Sequence, residues 1–133
     1  MSVRFAGYAA LFDTVDNSGD VIRAGAFAAS LAHAGAVPLL WQHQPGAVIG
    51  RVERLAEDRR GLRVIAALGE GDDAARAARL VKRGKLDGLS FGYRVRAAGT
   101  TAAGHRELTE LELVEVSLVA DPMQPGARIH AVE

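Results

Sequence analysis

The sequence contains no cysteine, which excludes a disulfide framework, a thiolate metal site and a cysteine nucleophile, and fits a reducing compartment. It also lacks an excess of either charge: 16 basic and 16 acidic residues cancel. No global positive field draws it to nucleic acid or to an anionic membrane, so neither is an expected partner. No stretch approaches the roughly 20 apolar residues of a membrane span. The opening Met1-Ser2-Val3-Arg4-Phe5-Ala6 has no signal-peptide apolar core, and the expectation is a soluble, intracellular protein. Aromatic residues are few, at 5%, while alanine and glycine are abundant.

What is present is 133 residues, enough for one domain, 1–133, with a core that folds unaided. Arg4 to Leu11 reads as a strand, followed by a polar turn cluster from Asp13 to Asp20. Ala24 to Ala34 reads as a short helix stopped by Gly35, and Val37 to His43 as an apolar strand. Ala47 to Ala56 and Gly61 to Leu68 pair as a hairpin across Glu57-Asp58-Arg59-Arg60. Asp72 to Arg83 is the clearest helix, with acids at its start, bases at its end and Gly84 beyond, as the helix dipole favours. Gly88 to Ala97, Arg106 to Ala120 and Arg128 to Val132 complete the strands. Many strands with two or three interspersed helices predict a β-rich α+β domain. Its core would be a small barrel or a strongly curved, mostly antiparallel sheet.

The stretch Gly88-Leu89-Ser90-Phe91-Gly92 stands out. Strand alternation puts Leu89, Phe91 and Tyr93 on one face and Gly88, Ser90 and Gly92 on the other. Glycines inside a strand cost stability, so a pair flanking a serine marks the close approach of another backbone. Either a nucleophile on the floor of a shallow groove or a bulge with a bystander serine satisfies that pattern. The letters match the Gly-x-Ser-x-Gly nucleophile elbow, but the residues after Ser90 continue as a strand where an elbow needs a turn and a helix.

Of four histidines, His33, His105 and His130 have no distinctive setting. His43 ends an apolar strand, where alternation would place it with Leu39 and Trp41; it is either structural or the base for a serine hydroxyl. Glu115 interrupts Leu113-Val114-Glu115-Val116-Ser117-Leu118-Val119-Ala120, a strand that otherwise reads as buried on both faces. An unpaired buried carboxylate costs several kcal/mol. Glu115 therefore has a partner, either an arginine or a histidine whose tautomer it fixes. Ser117, two residues on, is either a rival nucleophile or a buried, hydrogen-bonded serine. Asp13, Asp16 and Asp20 do not follow calcium-loop spacing, and no histidine pair suits zinc, so no metal is expected. Gly84-Lys85-Leu86-Asp87-Gly88 lacks the spacing of a phosphate loop.

In order along the chain, several segments together resemble the HK97-type prohead (capsid maturation) serine proteases of tailed phages and gene transfer agents. They are Gly7 to Phe12, Asp16 to Phe27, Val37 to His43, Ile49 to Val52, Gly61-Leu62, Leu80 to Tyr93, Glu115 to Val119 and Asp121-Pro122. The resemblance spans nearly the whole chain and implies a relative of the herpesvirus assembly proteases, a β-barrel with surrounding helices. It maps the family's histidine and serine onto His43 and Ser90. The third member in the herpesvirus enzymes is a second histidine; the corresponding late strand here offers Glu115, so the place carries over and the residue type does not. Gly88 and Gly92 would leave room for a substrate strand across Ser90.

The implied activity is a serine endopeptidase without a cofactor. Its substrate would be the major capsid protein or its scaffold segment, and itself, inside an immature shell in the host bacterial cytoplasm. Homodimerisation is implied by resemblance alone. The alternative is a catalytically inactive assembly factor that keeps the protease fold. The chain is short for this family, which the resemblance explains by a compact form or by self-trimming.

Overall fold

The computed structural model describes residues 3–33 and 35–133; Met1, Ser2 and Ala34, the expected end of the first helix, lie outside the described residues. The elements run β1 (Arg4–Leu11), β2 (Asp20–Ile22), α1 (Ala28–His33), β3 (Pro38–Trp41), β4 (Val48–Glu57), β5 (Gly61–Leu68), α2 (Asp72–Lys82), β6 (Gly88–Thr100), β7 (Arg106–Val119) and β8 (Ile129–Val132). All strands belong to one eight-stranded sheet, β2-β7-β3-β4-β5-β1-β8, with β6 also paired to β7. Pairing is antiparallel except where β2 and β3 run parallel to β7. The long β7 organises the molecule: β6 covers one edge along its length, while β2 and β3 share the other at its two ends.

The sheet curls until its ends meet. Gly88 at the start of β6 bridges Arg128, and the Leu89 N–H bonds the Ala127 carbonyl. Tyr8 of β1 donates its N–H to the Arg128 carbonyl from the other side. Phe5, Leu39, Ile49, Leu62, Val64, Leu89 and Leu118 fill the interior and are at most 2% exposed. This is the curved, β-rich α+β architecture expected from the strand pattern, with two helices among the described residues.

Two local expectations change. Helix α1 begins at Ala28, because Gly25 has φ +91° and Ala24–Phe27 forms a hydrogen-bonded turn that a right-handed helix cannot contain. Glu57 on β4 accepts the Gly25 and Phe27 N–H groups at 2.7 and 2.8 Å, fixing that turn. The strand expected to run to His43 stops at Trp41, because Gln42 and His43 both have positive φ. Helix α2 forms as its sequence implies. Ala74, Ala77 and Val81 are its buried stripe, and Gly84, at φ +68°, donates its N–H to the Val81 carbonyl to close it.

Candidate active site

The site is assembled where β3, β6 and β7 lie side by side. Across β6 and β7, Ser90 pairs with Ser117 and Gly92 with Glu115. Val114 is the extra residue of a bulge, since Tyr93 pairs with Leu113 and Gly92 with Glu115. Val116 and Leu118 point into the core, and Glu115 and Ser117 share the opposite face with Ser90. That face is not open to water at β7: Glu115 is 7% exposed and Ser117 fully buried.

The cover over them is the turn that follows β3. Residues Trp41 to Gln44 form a two-residue turn with φ +50° at Gln42 and +61° at His43, closed by the Gln44 N–H on the Trp41 carbonyl at 2.9 Å. Positive φ at both central positions is the geometry of a type I′ turn, unusual for non-glycine residues and costing about 1–3 kcal/mol each. Its consequence is direction. Strand alternation would have put His43 with Leu39, which is buried in the core; the turn instead carries the ring back over β7.

There His43 Nδ1 lies 2.6 Å from Glu115 Oε1. The second carboxylate oxygen, Oε2, accepts the Ser117 hydroxyl at 2.6 Å, and Ser117 Oγ accepts the His43 backbone N–H at 3.1 Å. The partner of the buried carboxylate is thus a histidine, and no arginine bonds it among the described residues. A carboxylate acceptor places the neutral ring's proton on Nδ1, leaving Nε2 as the lone-pair nitrogen. The hydrogen bond that His43 donates to Glu115 holds the imidazole pKa above its ordinary value, against a smaller opposing effect of burial.

His43 and Ser90 line one cavity of about 500 Å³, together with Leu89, Phe91 and Met123. Ser90 Oγ and His43 Nε2 have no hydrogen-bond partner among the described residues. At its far end the cavity meets Arg106, whose guanidinium grips the buried Asp20 carboxylate through two bonds of 3.0 and 2.7 Å. This grip holds the Asp20 carboxyl below its usual range. Met123 and Gln124, in the loop from Ala120 to Ala127, wall the cavity. Gln124 ties the loop down, accepting the Leu11 N–H at 2.6 Å and donating to the Leu11 carbonyl at 2.8 Å.

The glycines around Ser90 serve close packing. A Cβ at Gly92 would lie 2.4 Å from Glu115 Oε1, and one at Gly88 2.4 Å from the Val119 carbonyl and 3.0 Å from the Pro122 ring. The room at Gly92, which the sequence reading gives to a substrate strand, holds the Glu115 side chain. Sequence reasoning missed the Gln42 turn position; it named Ser117 as a rival nucleophile or a buried, hydrogen-bonded serine, and the structure buries it with its hydroxyl bridging Glu115 and the His43 backbone. The pairing of two serines across the β6–β7 ladder is visible only once the register is known. Among the described residues, no cluster of three or more metal-ligating side chains occurs. Among the described residues, no helix is long and apolar enough to cross a membrane.

The curled sheet defines a class. The fold matches KSHV protease in complex with a hexapeptide phosphonate inhibitor (TM-score 0.68, 13% identity, covering 100% of this chain and 65% of that one). It also matches the bacteriophage T4 capsid assembly protease (TM-score 0.66, 13% identity, 87% and 81% covered). The architecture is therefore that of the herpesvirus and phage assembly proteases. Within that class the chain belongs to the Caudovirus prohead serine protease family, whose family model matches residues 1–133. It is 35% identical over 94 residues to the prohead protease of Enterobacteria phage HK97, an alignment covering 68% of this chain and 42% of the relative. The chain thus spans less than half the length of that curated relative.

Proposed function

We propose that this chain is a serine endopeptidase of capsid maturation, cleaving the major capsid protein or its scaffold segment inside the immature shell. The observation that carries this reading is the His43–Glu115 pair, with its free Nε2 in the same cavity as the unbonded hydroxyl of Ser90. Family membership supplies the substrate class.

In the proposed reaction Ser90 Oγ attacks the peptide carbonyl carbon while His43 Nε2 takes its proton. The imidazolium formed is stabilised by Glu115 through Nδ1–H. Collapse of the tetrahedral adduct breaks the C–N bond, and Nε2–H protonates the leaving amine. Water, deprotonated by the same nitrogen, then hydrolyses the acyl-serine ester and returns the proton to Oγ. Amides of the Ala120–Ala127 loop are the proposed donors to the oxyanion, each worth roughly 3 to 4 kcal/mol in comparable enzymes. Homodimerisation, by analogy with the herpesvirus relatives, is part of the proposal and is tested by light scattering across concentration.

Co-expression with the major capsid protein of the same genome tests the activity. Wild-type chain is expected to shorten the capsid protein, and Ser90→Ala to leave it intact. Equal processing by both removes Ser90 from the role of nucleophile. No processing by either favours an assembly factor that keeps the protease fold.

A further inference from the structure

We infer that Ser117 is a positioning residue, whose single hydroxyl locks the His43 turn and the Glu115 carboxylate into one relative geometry. Its catalytic consequence rests on the reading of Ser90 and His43 as nucleophile and base; the locking itself does not.

The inference comes from how completely Ser117 is used. A serine hydroxyl has one proton to give and lone pairs to accept with. Here the proton goes to Glu115 Oε2 at 2.6 Å and a lone pair takes the His43 N–H at 3.1 Å. The side chain is fully buried. With the 2.6 Å contact between Nδ1 and Oε1, this closes a ring of three hydrogen bonds through three residues. Glu115 thereby holds His43 twice, at the imidazole directly and at the backbone through Ser117.

Both partners need that second anchor. The His43 backbone sits at φ +61°, a conformation that relaxes unless its surroundings impose it. Its neighbours in the turn are held by the Gln44 N–H on Trp41, the Gln42 N–H on Leu118, the Ala47 N–H on the Gln44 carbonyl and the Ala120 N–H on Gln42 Oε1, but the His43 N–H itself is held by Ser117. The Glu115 carboxylate fills the room at Gly92, and of its two oxygens Oε2 is fixed by the Ser117 hydroxyl. Ser117 is also ruled out as a competing nucleophile, since it is buried and its proton is committed to a carboxylate.

The test compares wild type, Ser117→Ala and Ser117→Thr by two readouts. One is the NMR titration of the His43 imidazole; the other is the rate at which a fluorophosphonate labels Ser90. In Ser117→Ala the imidazole is expected to titrate lower than in wild type, toward an ordinary histidine. Its labelling rate should fall roughly 10- to 100-fold, the scale of loss for an ångström of misplacement. Ser117→Thr, which retains the hydroxyl, should restore both. If Ser117→Ala does not fold, Ser117→Cys, with its weaker donor, carries the same comparison. An unchanged titration and rate in the folded alanine or cysteine variant would overturn the proposal, as would label found on Ser117. If wild-type Ser90 takes no label, the nucleophile reading fails, while the titration still decides whether Ser117 positions His43.

Discussion

Gly92 and Glu115 face each other across β6 and β7, and the carboxylate of one occupies the space that any side chain on the other would need. A methyl group at position 92 would lie 2.4 Å from Oε1, the atom that holds the His43 ring. A glycine that reads as a weak point in a strand is thus a requirement of the acid next to it.

Gly92→Ala should therefore force Glu115 aside, since the new methyl meets its Oε1, Cγ and Cδ, and the buried carboxylate loses the geometry of its bonds to His43 and Ser117. The expected result is a labelling rate at Ser90 lowered by about 100-fold. The thermal midpoint should also fall, while the variant remains folded at room temperature. Parallel measurement of the two separates loss of geometry from loss of structure.

How legible this was in the sequence can be judged residue by residue. Glu115 advertised itself as a charge inside an apolar run, since burial demands a partner. His43 was visible as a polar end to an apolar strand. Ser90 stands out through its glycines, but that Glu115 packs against Gly92 is not legible, because what lies beside Gly92 depends on cross-strand register. The turn at Gln42 carried little signal: Gln does not favour positive φ, and the modest enrichment of His there does not mark a turn by itself. The backbone there is imposed by its anchors to Trp41, Leu118 and Ser117, which are tertiary facts. The strands' places along the chain, the β4–β5 hairpin and the curvature followed from pattern, while the order of strands in the sheet did not; nor did the start of α1, because one glycine in a left-handed conformation outweighed a run of helix-forming alanines.

Glu115→Gln keeps the shape and removes the charge. Activity should drop by roughly 10⁴-fold, as when a triad acid is replaced by its amide and the wrong tautomer is held. The acid limb of the pH–rate profile gives a second reading. A base must be neutral, and Glu115 raises the His43 pKa. Wild-type activity is therefore gained as pH rises through a value above the ordinary histidine figure of about 6.5. In the glutamine variant the residual activity should rise at lower pH. Stability runs the opposite way: the ion pair contributes fully below about 6.5 and fades as pH rises through the raised value.

The type I′ turn makes a prediction of its own. Gln42→Val places a β-branched residue at φ +50° and should destabilise the protein by about 1–3 kcal/mol in urea unfolding. Gln42→Asn, which tolerates that backbone, should be within about 1 kcal/mol of wild type. Labelling of Ser90 should fall in the valine variant and persist in the asparagine one.

At the far end of the cavity, the Arg106 grip on Asp20 predicts an acid-sensitive contribution. Its depressed carboxyl pKa means that the stabilisation is complete above the ordinary aspartate value of about 3.9 and is lost as pH falls through the lower folded value. Asp20→Asn should cost about 1.5 kcal/mol at neutral pH, the low end for a charged hydrogen bond, because Arg106 is half-exposed. The cost should shrink in acid. Urea titrations at pH 7 and below pH 3 check both.

The central claim is that Ser90 is the nucleophile served by His43 and Glu115. Its most direct test is mass-spectrometric mapping of a fluorophosphonate adduct on the folded chain. The expected result is one adduct, on Ser90, absent in Ser90→Ala and strongly slowed in His43→Ala. An adduct on any other serine, or equal labelling of wild type and Ser90→Ala, would contradict it.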